Sequence, residues 1–188
     1  MPPDARQVFT RLPSLETERL LLRRMRLADA ADMFAYASRP EVTRFLPWAT
    51  HRSLDDTHHF LRFATSCYRR GKPVNWGMEL KENGRFIGTA GFNTWDADQA
   101  QGELGYVILP DYWNRGLMTE AVRAICTWGF EMGLHRISAR CEVENFASAR
   151  VMEKAGMRFE GVLRGQAWAR GAFRDMKLYA VLRGEAQP

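Results

Sequence analysis

Cysteine is scarce in this 188-residue chain: Cys67, Cys126 and Cys141 are the only three. An odd number set inside apolar stretches excludes a disulfide framework and fits a reducing cytoplasm. Long apolar runs are missing too, and none nears the roughly 18 residues that a membrane-spanning helix needs. The opening "MPPDARQVFT" lacks the apolar centre of a secretion signal. The four histidines (His51, His58, His59, His135) have no metal-ligand spacing, and His58 and His59 would point apart on a helix, so no metal site is expected. The net charge is +5, but no basic block, zinc-finger spacing or RNA-binding signature gathers it. Such a balance admits anionic partners and equally serves solubility. Neither a nucleic acid nor a membrane is an expected partner.

What is present is ordinary for a soluble globular protein: 46% apolar and 26% charged residues, enough for one domain over 1–188 with a sizeable core. A flexible N-terminal arm over 1–14 is allowed. "RLLLRRM" reads as an early strand rimmed by arginines, and "LADAADMFAYAS" as a short helix that Pro40 breaks. Ser53-Leu54-Asp55-Asp56 opens a longer helix in a capping arrangement, with Phe60, Leu61, Ala64 and Cys67 at helical spacing and Gly71 beyond its end. "VNWGMEL" alternates, Asn83-Gly84 supplies a turn and "FIGTAGF" returns, which is a hairpin signal. After the strand "GELGYVIL" come the helix "LMTEAVRAICTWGFEMG", the strand "HRISARCEV", the helix "NFASARVMEKAG" and two closing strands. The order defines a mixed α/β fold.

Between "GELGYVIL" and its helix lies Trp113-Asn114-Arg115-Gly116-Leu117-Met118. A helix N-terminus exposes unpaired N–H groups and the positive end of its dipole, so it attracts anions. Gly116 permits close backbone approach, and Arg115 adds a fork of donors suited to phosphate. Two readings stand at this point: a pyrophosphate cradle, or a turn whose Gly serves the backbone and whose Arg serves solubility.

The ordered set of segments resembles the GCN5-related N-acetyltransferase (GNAT) superfamily, and within it the RimJ/RimL-type ribosomal-protein N-terminal acetyltransferases. "LETERLLLRRM", "NWGMELKENGRFIGTAGF", "GELGYVILPDYWNRGLMTEAV", "NFASARVMEKAGMRFEGVLR" and "GAFRDMKLYAVL" carry that resemblance over nearly the whole chain. It implies a mostly antiparallel seven-stranded sheet, splayed between its fourth and fifth strands and flanked by about four helices. It implies acetyl-CoA as co-substrate, with no metal. The pantetheine arm would pair with the free edge at Tyr106, Val107, Ile108 and Leu109, notably around Val107 and Ile108. The pyrophosphate would sit on N–H groups of Asn114, Arg115, Gly116, Leu117, Met118 and Thr119. Met118 departs from the family's small residue there, which suggests a more crowded approach.

For proton transfer the resemblance makes Glu103 the candidate base for the acceptor amine, directly or through a water. Ser148 is the candidate acid for the CoA thiolate, because the Tyr that many relatives use falls on Met152. Asn145 would lie by the pantetheine arm, although Asn145 and Ser148 also suit helix capping. The Glu that RimL-type enzymes carry after the sixth strand falls on Ala167. Arg164, Arg170 and Arg174 on the last hairpin, with Arg39, Arg44 and Arg52, would rim the acceptor mouth, and Trp48, Trp168 and Phe173 would wall it. That rim favours an acceptor with carboxylates near its amine, unless the arginines are merely solvated. The expected activity is acetyl transfer by direct attack in a ternary complex, to a peptide or ribosomal-protein N-terminal α-amine. The alternatives are a small-molecule amine, amino-acid or antibiotic acetyltransferase, and a non-catalytic acyl-CoA-binding domain. The resemblance also allows a homodimer.

Overall fold

The computed structural model describes residues 1–185. Among these residues eight strands form one sheet in the order β1-β2-β3-β4-β5-β6-β8-β7. They are β1 (Leu15–Glu16), β2 (Leu20–Arg23), β3 (Asn75–Leu80), β4 (Phe86–Asp96), β5 (Gln101–Ile108), β6 (Arg136–Glu142), β7 (Arg158–Ala169) and β8 (Ala172–Leu182). All neighbours are antiparallel except β5 and β6. The eighth strand corrects the expected seven: Leu15 and Glu16 pair with Leu22 and Leu21, a ladder too short to leave a period in the sequence. The helices are α1 (Ala5–Thr10), α2 (Ala30–Ala37), α3 (Pro40–Thr43), α4 (Leu54–Arg70), α5 (Leu117–Glu131) and α6 (Phe146–Lys154). Six replace the expected four because α1 and α3 are single short turns.

Local chemistry explains most boundaries. Ser53 caps α4, and the Asp56 carboxylate accepts from the Arg52 and Ser53 N–H groups at 2.8 and 3.1 Å. Pro40 does not merely end α2; it occupies the first position of α3, where its missing N–H costs nothing. Gly71 ends α4 in the left-handed region at φ +65°, and a Cβ there would lie 2.4 Å from Arg6 Cα. That contact marks how tightly α1 packs. Phe9 is fully buried and Val8 and Leu12 are buried beside it, so the stretch from Val8 to Leu12 packs into the core. Arg23 is likewise no rim residue: it is buried, and it pairs with Asp29 at 2.7 Å and Glu79 at 2.6 Å.

Helices α2 and α4 cover one face of the sheet, and α5 and α6 the other. On the α5 face Trp76 and Trp128 meet edge-on at 5.1 Å, as do Phe92 and Trp95.

The site depends on where β5 leaves β6. Their parallel pairing runs from Gln101–Arg136 to Leu104–Ala139 and then stops, while β6 continues to Glu142 against β8. At the same height β4 carries a bulge, with the register shifting between Phe92 and Thr94 opposite Leu104 and Glu103. An inserted residue bends and twists a strand, and here it accompanies the parting of β5 from β6. This is the expected splay between the fourth and fifth strands, renumbered by the extra β1.

Candidate active site

Beyond Leu104 the outer edge of β5 is open, but not at every residue. Leu109 N–H donates to Ile87 C=O at 2.8 Å, which makes Thr89–Val107 a hydrogen-bonded pair and Gly88–Ile108 a non-hydrogen-bonded one. Tyr106 and Ile108 therefore turn their N–H and C=O groups to the gap, and Val107 and Leu109 turn theirs to β4. Val107, expected at the centre of the arm-binding edge, has its backbone committed elsewhere. The Ile108 carbonyl accepts from the Trp113 indole at 3.0 Å, so the free groups are the two N–H groups and the Tyr106 carbonyl.

The turn into α5 has the geometry of an anion cradle. Asn114 (φ +58°) and Gly116 (φ +76°) are both left-handed, and Gly116 caps the helix without a side chain. The first N–H groups of the helix, at Leu117, Met118 and Thr119, have no carbonyl one turn back. Met118 does not crowd them, since its side chain is 6% exposed and belongs to the core. Arg115 lies with its guanidinium 5.2 Å from the Tyr112 ring centre.

A clamp holds this turn. Arg19 donates from Nε to Glu120 Oε2 at 2.7 Å and from Nη1 to the Arg115 carbonyl at 2.9 Å. Glu120 Oε1 also accepts from the Thr17 hydroxyl at 2.5 Å and the Arg19 N–H at 2.9 Å. Burial alone would raise the Glu120 pKa, but these bonds outweigh it and hold the carboxyl below its ordinary value. The Thr-Glu-Arg segment before β2 is thus tied to the first turn of a helix a hundred residues away. The sequence shows both ends of that contact and not the contact.

Ser148 and Tyr106 meet in the gap. The Tyr106 hydroxyl lies 2.9 Å from Ser148 Oγ and donates to the Ser148 carbonyl at 3.1 Å. Burial pushes the Tyr106 pKa well above its usual value, partly offset by the Ser148 bond. Asn145 accepts from the Ser148 N–H at 3.1 Å, so Asn145 is the helix cap and the Ser148 hydroxyl is not. Met152 is fully buried, as a core residue. Glu103 lies in the paired part of β5, opposite Ser138, and its carboxylate is bound by Arg140 at 2.9 Å.

On the opposite face a cavity of about 320 Å³ opens beside Gly105, Tyr106 and Val107. Its walls include Trp48, Phe60, Phe63, Met25 and Met33, with Asn75, Asn93, Thr89 and His51 as its polar groups. Gly105 leaves room for the Asn93 amide: a Cβ there would lie 2.3 Å from Asn93 Nδ2. A second cavity shares Leu46 and Trp48 with the first and is bordered by Arg44, Arg52 and Arg170. Of the expected acceptor residues, Trp48 lines both cavities and Arg170 the second. Arg164, Trp168 and Arg174 are not among the walls; Trp168 instead stacks edge-on with Phe173 on the hairpin surface at 4.9 Å. Three of the six rim arginines are also paired with carboxylates. Arg170 pairs with buried Glu142, Arg39 with Asp111 at 3.0 Å and Arg44 with Glu144 at 3.8 Å. The sequence-level reading missed Asn75, Asn93, Phe60 and Phe63, whose signal was only helical or strand spacing, and His51, which lies in the loop before α4. Among the described residues no cluster could hold a metal ion, and no helix is long and apolar enough to cross a membrane.

The parting of β5 from β6 thus sets a free strand edge beside a glycine-capped anion cradle. The acetyltransferase (GNAT) domain model matches residues 19–158, and the chain belongs to that family. YoaA of Bacillus subtilis (strain 168), an uncharacterized N-acetyltransferase, is 33% identical over 172 residues, covering 91% of this chain and 97% of its own. A solved GNAT-family acetyltransferase from Bacillus anthracis superposes with a TM-score of 0.82 at 32% identity, over 92% of this chain and all of the other. In fold alone, RimL, a ribosomal L7/L12 α-N-protein acetyltransferase solved with coenzyme A, superposes with a TM-score of 0.80 at 18% identity, over 90% and 98% of the two chains. The protein is an acetyl-CoA-dependent N-acetyltransferase of the GNAT fold.

Proposed function

We propose that the chain acts as one catalytic unit that acetylates a primary amine whose body is apolar and compact, by direct attack in a ternary complex. The observation that carries this reading is the cavity beside Gly105–Val107, whose walls are aromatic and aliphatic and bear no fixed charge. An acceptor with carboxylates would lose hydration there and find no free cation. Acetyl-CoA fits the remaining features. The N–H groups of Leu117, Met118 and Thr119 take its pyrophosphate, and the edge at Tyr106 and Ile108 takes the pantetheine arm. The Tyr106–Ser148 pair stands in the gap to return a proton to the departing thiolate. Three unpaired buried cysteines suit a reducing cytoplasm.

A second reading, acetylation of a peptide α-amine, is favoured by the second cavity, which continues from the first past Trp48 and would take chain beyond a first apolar residue. Thiol release from acetyl-CoA tests both. The panel contains arylalkyl amines, peptides with apolar or acidic first residues, a polyamine and an aminoglycoside. The first reading expects arylalkyl amines to be the best acceptors and apolar-first peptides to follow. Preference for acidic peptides or polycations would overturn it.

A further inference from the structure

The acceptor cavity contains an ionisable ring with no part in the chemistry above. His51 lines it between Trp48, whose ring centre is 5.2 Å away, and Phe60, at 6.4 Å. Its Nδ1 lies 2.9 Å from the hydroxyl of Thr57, a fully buried residue of α4. The two imidazole nitrogens diverge, so anchoring Nδ1 on Thr57 directs Nε2 away from α4. Burial lowers the ring's pKa below its ordinary 6.5, against an opposing pull from Asp56, so the ring is neutral at pH 7. The other ionisable walls are Tyr36 and Tyr106, both phenols pushed far upward by burial. Glu103 is not a wall of the cavity, and its carboxylate is bound by Arg140.

We propose that His51 Nε2 takes the proton that the acceptor ammonium must lose before it attacks the thioester. This rests on the reading of the cavity as the acceptor site. The productive tautomer carries its proton on Nδ1 and donates it to Thr57 Oγ1. The Thr57 oxygen can accept that proton on one of its two lone pairs. On proton uptake Nε2 gains a hydrogen while the Nδ1–H bond to Thr57 persists. The amine nitrogen then forms the amide C–N bond as the thioester C–S bond breaks. Its second proton passes to the thiolate through Tyr106 and Ser148, and the imidazolium gives the first to solvent. The lining offers no carboxylate to pair with an ammonium, so a base inside the cavity removes a charge that nothing there neutralises.

The test is the pH profile of kcat/KM for 2-phenylethylamine in the wild type, His51→Gln and His51→Asn, with melting curves and acetyl-CoA titration as controls. Asn can still donate to Thr57 from the Nδ1 position, which guards against a loss of fold. A wild type that uses ammonium plus neutral His51 gives a flat profile between the ring's pKa and the amine's, about 10 for a primary alkylamine. Variants must wait for free amine, so their rate falls about tenfold per pH unit, roughly 1000-fold below wild type at pH 7 and converging near pH 10. Variant profiles parallel to the wild type's, lowered by a constant factor or not at all, overturn this inference alone. A wild type silent on every amine, with acetyl-CoA still bound, overturns the acceptor reading and this inference with it.

Discussion

Replacing Arg19 with Ala removes the clamp on the cradle without touching the cradle itself. Two contacts go: the ion pair with Glu120 at 2.7 Å and the bond to the Arg115 carbonyl at 2.9 Å. Arg19 is 45% exposed and Glu120 17%. Charge-assisted bonds contribute about 1.5–3 kcal/mol when buried and ion pairs about 0–1 when exposed, so half-exposure gives about 1–2 kcal/mol for the two together. For a chain of this size that lowers Tm by about 3–6 °C. The effect on binding is more diagnostic. Glu120 then keeps its charge in the first helical turn with its cation gone, where an anion must sit. Repulsion of about 1 kcal/mol raises the KM for acetyl-CoA about fivefold, while the KM for the amine stays put. Arg19→Lys restores charge without the fork and falls between. Steady-state kinetics with each substrate varied in turn measures this. An unchanged acetyl-CoA KM, or a loss confined to the amine KM, would refute the clamp.

The Glu120 pKa gives a pH test with a fixed sign. Its carboxyl is held low in the fold, so its stabilisation is present above the ordinary 4.5 and lost as pH falls through the folded value. Urea midpoints of wild type and Glu120→Gln should therefore differ at pH 6 and converge toward pH 3; a gap that persists at pH 3 contradicts the ionic role. Tyr106→Phe and Ser148→Ala should each lower kcat about tenfold to a hundredfold, and the double variant no further than the larger single one, because both serve one proton path. Rapid-mixing measurement of thiol release checks this, and additive losses would separate the two residues. Gly105→Ala forces the Asn93 amide out of its place, and should raise the amine KM while sparing that for acetyl-CoA. Equal effects on both would put Asn93 outside the acceptor wall.

Much of the scaffold was legible because its signals are local. The Asn83-Gly84 turn, the Ser53–Asp56 cap and the strand–turn–helix around Gly116 each declare themselves within a few residues, and each is found. The splay was expected from family resemblance, but the bulge opposite Leu104 that accompanies it leaves no sequence mark. The acceptor half was read least well, since counting arginines reveals charge and not partners. Glu142, Asp111 and Glu144 lie 28, 72 and 100 residues from the arginines they neutralise. His51 was hidden for another reason: its partners Trp48, Thr57 and Phe60 lie within nine residues of it, but they follow no motif, and only their packing around the ring gives it a role.

The most direct measurement of the central claim is kcat/KM along a homologous series of ω-phenylalkyl and straight-chain amines. Each buried methylene contributes about 0.8 kcal/mol, so kcat/KM should climb about fourfold per CH₂ until the body fills the cavity, then drop. Phe63→Glu should flatten the climb. A series that is flat from the smallest amine, or in which an appended carboxylate improves every member, would contradict an apolar acceptor site.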